Sequence, residues 1–128
     1  MIIVSLTAAL LAGLYIYLSF YVIGLRRRHR VALGSGGHTD LERAMRVHAN
    51  FAEYVPFALV LLTLCALRGL PEALLAPLCA ALVIGRALHA YGVAQDNENF
   101  RFRTVGMIAS FGVLAGAAVC LVVLAIRG

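Results

Sequence analysis

Hydrophobic positions in this chain gather into four long blocks, residues 2–25, 43–67, 72–93 and 104–126, separated by three short polar stretches. Each block holds about 20 residues or more, enough for a helix rising 1.5 Å per residue to cross a hydrocarbon layer about 30 Å thick. The blocks are rich in Leu, Ala and Gly and show no alternation of period two, so they predict helices and not barrel strands. The pattern therefore describes an all-α fold, an integral membrane four-helix bundle, with residues 1–128 forming one transmembrane domain. The first block has no basic leader, outruns the 7–15 apolar residues of a secretory signal and lacks a small-residue cleavage site after it. It is expected to stay as the first helix.

The second block breaks the apolar pattern in an ordered way. In RAMRVHANFAEYVPF, from Arg43 to Phe57, a rotation of about 100° per residue brings Arg43, Arg46, Asn50, Glu53 and Phe57 within an arc of roughly 80°, with His48 and Ala52 pointing elsewhere. Glu53 lies about 18 Å along the helix from Leu41, well inside hydrocarbon if the helix spans. Pro56 removes a backbone donor and crowds the carbonyl four residues earlier, which predicts a bend near Ala52 or Glu53. A bend beside a buried carboxylate points to a cavity. Helix 3 carries a second polar group in GRALHAYG, where Arg86 and His89 are three residues apart on one face and Tyr91 points roughly opposite.

Composition makes the membrane reading firm. Of 128 residues, 62% are hydrophobic and 13% charged, against about half and about a quarter in soluble domains; the mean hydropathy is +0.92. All 11 basic residues are arginine. Arg26, Arg27, Arg28, Arg30, Arg43 and Arg46 flank the first connection and Arg101 and Arg103 the third, whereas Arg68 and Arg127 mark the other side. By the positive-inside rule both basic connections face the cytoplasm and both termini the opposite side. The net charge of +5 is thus a topology signal and a surface for anionic headgroups. Nucleic acid is not an expected partner, because no soluble domain or aromatic interleaving accompanies the arginines.

The remaining features are structural. VALGSGGHTDLE between the first two blocks is a flexible loop leading to a helix start at Thr39 or Asp40; no G-K-[ST] follows and no strand precedes it, so it is not a phosphate loop. Arg68-Gly69-Leu70-Pro71 is a tight turn too short to hold a site. The third connection, AQDNENFRFRT, is polar and near-neutral until Arg101 and Arg103. Gly112 and Gly116 have the G-x-x-x-G spacing of close helix packing. Cys65, Cys79 and Cys120 are odd in number, widely spaced and surrounded by apolar residues, and read as core residues. No metal ligands are assigned.

Arg46, Glu53 and Arg86 lie within spans, where each charge costs roughly 2.5–3.5 kcal/mol at mid-helix unless paired or hydrated. A purely structural network would join Arg46 to Asn50 and Arg86 to Glu53. Arginines nevertheless outnumber carboxylates, and such an excess calls for an anionic ligand entering from the cytoplasmic side. Two other classes stay open: a proton-coupled exporter of cationic compounds using Glu53, and a packing or interaction subunit without ligand.

The combination R-x-H-x-N-x-x-E-x-x-P in helix 2, GRALHAYG in helix 3, an R-T-x-G segment opening helix 4 and the R-V-A-x-G-x-G-G loop before helix 2 resembles the MAPEG family, membrane-associated proteins in eicosanoid and glutathione metabolism, and its small bacterial members above all. The resemblance covers nearly the whole chain. It implies a homotrimer of four-helix subunits in a bacterial inner membrane, with glutathione bound as cosubstrate between neighbouring subunits near the cytoplasmic face. Carried over by position, Arg46, Asn50 and Glu53 hold the glutathione backbone, Arg86 and His89 line the pocket, and Arg103 and Thr104 lie nearest the thiol. Arg26 reaches the same pocket from the neighbouring subunit. The residue types suit this, with Glu53 for the ammonium, Arg46 for a carboxylate, and Arg103 to favour the thiolate. The implied activity is glutathione transferase- or peroxidase-like chemistry on small hydrophobic electrophiles from the bilayer. Eicosanoid-forming relatives have tyrosines where this chain has Val93 and Met107, and a second helix-2 arginine where it has Ala49. The resemblance accordingly implies the glutathione site more directly than any particular reaction.

Overall fold

The structure, a computed structural model, describes residues 1–95 and 100–127. Four helices follow one another, α1 (Ile2–His29), α2 (Thr39–Leu67), α3 (Glu72–Ala94) and α4 (Phe100–Arg127), and each is long and apolar enough to cross a membrane. They run alternately up and down the bundle. Residues 96–99, the middle of the polar connection before α4, lie outside the described residues.

Three helices outrun their apolar blocks at the arginine-rich end. α1 continues through Arg26, Arg27 and Arg28 to His29, α2 starts at Thr39, and α4 starts at Phe100. Hydropathy marks the part of a helix that suits hydrocarbon, whereas arginine is itself a good helix former and carries the backbone on into water. α1 stops where Arg30 turns left-handed, at φ 56°, and the Arg30 and Val31 amides donate back to the carbonyls of Arg27 and Arg26. The loop to α2 then takes positive φ at Gly34, Gly36 and Gly37. α2 runs unbroken through Pro56. The turn to α3 closes over Gly69, at φ 79°, with the Leu70 amide donating to the Cys65 carbonyl.

The core is a set of stripes at helical spacing: Val4, Leu11 and Leu18 on α1; Val47, Phe51, Val55, Ala58, Leu62 and Cys65 on α2; Leu75, Cys79 and Leu82 on α3; Val113 and Ala117 on α4. Cys65 and Cys79 are buried there as apolar residues and Cys120 is half-buried. The outer face is equally apolar, with Ile2, Leu10, Phe20, Ile108 and Ile126 all more than half exposed, an arrangement that suits lipid and not water.

α3 and α4 pack most extensively of all pairs, and their close approach is not at the expected glycine pair. Gly112 has open space where a Cβ would stand, and Gly116 would meet only the Leu78 side chain. The contact lies at Gly85 and Gly106, where a Cβ on Gly106 would fall 2.5 Å from the Gly85 carbonyl oxygen and 2.8 Å from the His89 amide nitrogen. Spacing identifies glycines that share a face, but the neighbour on that face is set by how the helices are rotated. Gly106 is the glycine of the R-T-x-G segment, so that motif owes part of its form to packing.

Candidate functional site

The α3 stripe of Leu75, Cys79 and Leu82 continues at the same spacing into Arg86 and His89, so the two polar residues occupy core positions and are 1% and 3% exposed. The Arg86 guanidinium lies about 5.9 Å from the centre of the Phe51 ring. Its Nη2 donates to Asn50 Oδ1 at 2.6 Å and lies 3.1 Å from His89 Nδ1; its Nη1 donates to Ser110 Oγ at 3.3 Å and approaches Met107 Sδ. Nε has no partner among the described residues. Arg86 therefore ties α2, α3 and α4 together without a carboxylate. The structural network expected from sequence, Arg86 with Glu53 and Arg46 with Asn50, is not the one formed. Asn50 turns to Arg86, and Glu53 turns outward.

Those choices leave a cleft of about 330 Å³ on the outer side of Arg86, lined by Thr39, Glu42, Arg43, Arg46, Ala49, Asn50, Glu53, His89, Val93 and Arg103. The predicted polar stripe of α2 forms one wall, His89 and Val93 the second, and Arg103 of α4 the third. Arg46 and Glu53 are exposed toward the cleft and make no ion pair or hydrogen bond with any described residue. Arg43 crosses to donate from Nη1 to the Gln95 carbonyl at 2.7 Å, which brings the α2 start and the α3 end to the same end of the bundle. Both signs of charge thus share one space: three arginines and two glutamates line it. Such a lining suits a zwitterionic ligand with an excess of negative charge.

Of the residues expected from sequence, Arg46, Asn50, Glu53, His89 and Arg103 come together on the cleft wall, and Arg86 stands directly behind it, holding Asn50 and His89. Thr104 is exposed and is not on the wall. Arg26 is not on it either: its Nη1 donates to the carbonyls of Ala32 and Gly34, both at 3.1 Å, and Nη2 lies 3.4 Å from Met45 Sδ. The bond to Ala32 and Gly34 pins the loop that follows α1. Thr39 and Glu42 were not singled out from sequence. Glu42 was within reach of it, standing on the Arg46, Ala49 and Glu53 face at i, i+4, i+7 and i+11. Ser110 carried no signal, since only the packing of α4 on α3 brings it to Arg86. His48, correctly expected off the polar stripe, meets Ser19 Oγ at 3.0 Å and stacks on Tyr15.

Ala49, Val93 and Met107 belong to this region as well. The first two are wall residues and the third touches Arg86. Ala49 on the α2 wall and Val93 on the α3 wall add apolar surface to the cleft, while Met107 lies behind it against Arg86.

Four helices long and apolar enough to cross a membrane, with a charged cleft of small-ligand size among three of them at one end, define a multi-pass membrane protein. The chain belongs to the MAPEG family, whose model matches residues 4–123. It is 39% identical over 111 residues to Inner membrane protein YecN of Escherichia coli strain K12, an alignment covering 86% of this chain and 82% of that protein. It is similar to the same extent to Inner membrane protein YecN of Escherichia coli O6:H1 strain CFT073.

Proposed function

We propose that the cleft binds glutathione and that the protein uses it as cosubstrate against small hydrophobic electrophiles dissolved in the bilayer, in the manner of a membrane-bound glutathione transferase or peroxidase. The observation that carries this reading is that Arg46 and Glu53, neither with a partner among the described residues, stand on one wall. Glutathione has two carboxylates and one ammonium, and the wall offers it guanidinium groups and one central carboxylate at a helix spacing of two turns. A volume of about 330 Å³ lies in the range of small-ligand sites. Family membership supports the ligand, since the MAPEG family is associated with glutathione.

The chemistry falls to few groups. Glutathione's thiol is mostly protonated at neutral pH, and a guanidinium beside it favours the nucleophilic thiolate. We assign this to Arg103, which lines the cleft, since Val93 and Met107 supply no phenol. Thr104, next in the chain, is exposed and off the cleft wall, so this role rests on Arg103. The thiolate then attacks the electrophilic carbon, forming the C–S bond while the leaving group departs with the bond's electron pair. In the homotrimer implied by the family, Arg26 of a neighbouring subunit completes the pocket once it gives up the carbonyls of Ala32 and Gly34. The membrane is the bacterial inner membrane, as in the name of the E. coli relatives, with the cleft end cytoplasmic.

A proton-coupled exporter of cations needs a negative lining, and arginines exceed glutamates here. Titration of the purified protein in detergent with glutathione tests the reading: saturable binding at one site per chain supports it, and heat or fluorescence changes no larger than those with Arg46→Ala overturn it.

A further inference from the structure

We propose that His29, His38 and Asp40 form a binding site for a divalent transition metal ion of the zinc type at the junction of α1 and α2. One side chain comes from the last turn of α1, one from the residue before α2 and one from its first turn, and their ligand atoms all lie within 4.8 Å of one another. His29 Nε2 is 2.8 Å from Asp40 Oδ2, and the His29 and His38 rings stack with centres 3.9 Å apart and planes 16° from parallel. Metal bonds of about 2.0–2.2 Å to imidazole nitrogen and carboxylate oxygen hold donors roughly 3–4 Å apart. The widest pair has only to close by about an ångström, within the swing of partly exposed side chains.

The donor set fits the ion. Two imidazoles and one carboxylate, all able to bind in their deprotonated forms, are borderline ligands that favour zinc, cobalt, nickel or ferrous iron over calcium and magnesium. Three protein donors leave further positions to water. Nearby Arg27, Arg28 and Arg30 are exposed, so their charges are solvated, and Arg26 is turned to the loop carbonyls. Between the helices glycines hold three of the four positive-φ positions and Arg30 the other, and the His38 amide donates to the Ser35 carbonyl at 3.0 Å. Asp40 shares its helical turn with Thr39, Glu42 and Arg43 of the cleft wall. A bound ion therefore acts as a clasp that fixes the rim of the cleft to the end of α1.

The spacing of His29, His38 and Asp40 matches no metal motif, and only the reversal of the chain at the loop brings them together. The test uses the full chain in detergent, chelator-treated and free of any histidine tag, titrated with cobalt(II) and then zinc(II). The expected result is one cobalt per chain with visible d–d absorption, displaced by zinc, and a zinc-dependent rise in melting temperature. His38→Ala and Asp40→Asn should each weaken cobalt binding beyond the about 10–100-fold that losing a supporting partner costs, while His48→Ala keeps it. Asp40→Asn preserves side-chain shape and decides the matter if His38→Ala melts early without metal. Absence of cobalt absorption in the wild type, its persistence in Asp40→Asn, or its equal loss in His48→Ala overturns the proposal.

Discussion

The guanidinium of Arg86 donates a 2.6 Å hydrogen bond to Asn50 Oδ1, joining α3 to α2 immediately behind the cleft. None of its partners among the described residues is a carboxylate, so a buried cation is held by an amide, a hydroxyl and an imidazole. Electrically the region stays positive, and that surplus meets the cleft through Asn50 and His89.

Removing the amide should cost stability. Asn50→Ala leaves Nη2 of Arg86 with one fewer acceptor, and a buried charged donor deprived of its partner costs about 1–3 kcal/mol. Asn50→Asp, which supplies a negative charge at the same atom, should recover that loss. Thermal or denaturant unfolding in detergent checks both; a variant Asn50→Ala as stable as the wild type removes the bond's structural weight.

Gly106→Ala should separate α3 from α4, because its Cβ would meet backbone atoms of Gly85 and His89 that have no rotamer to escape into. Overpacking of this kind costs about 1–3 kcal/mol, and a displaced His89 should weaken ligand binding as well. Gly112→Ala has open space and should be neutral or slightly stabilising. Unfolding midpoints of the two variants, compared side by side, give the answer.

For the cleft wall, Arg46→Ala and Glu53→Ala should each lower glutathione affinity about 10–100-fold, the equivalent of 1.4–2.8 kcal/mol, without altering the melting temperature. Arg68→Ala, at the other end of the bundle, should bind as the wild type does. Calorimetric titration distinguishes them, and unchanged affinity in both wall variants would remove the assignment.

Arg103→Leu separates binding from activation. The thiolate of bound glutathione absorbs in the ultraviolet where the thiol does not, and its fraction should fall in this variant by more than the affinity does. Equal loss of both would show that Arg103 only helps to hold the ligand.

Much of this protein was legible without coordinates because the relevant forces act locally or through composition. A run of apolar residues long enough to cross hydrocarbon has one way to satisfy its backbone, so the four helices follow from hydropathy; the α2 face carrying Arg46, Asn50 and Glu53 follows from the helical rotation between them. The motif resemblance reached the family that the comparison then found. Helix ends were less legible, since arginine prolongs a helix beyond the point at which hydropathy stops reporting it.

What the chain alone determined, then, is four membrane-crossing helices and a charged stripe on the second, both set by the repeat of a single helix. Tertiary structure alone decided that Arg86 would take Asn50 and leave Glu53 to the cleft, that Gly85 and Gly106 would carry the close contact in place of Gly112, and that His29, His38 and Asp40 would meet. Each of these depends on the rotation and register of one helix against another. Those are fixed by the summed packing of many side chains, a quantity that no local spacing records.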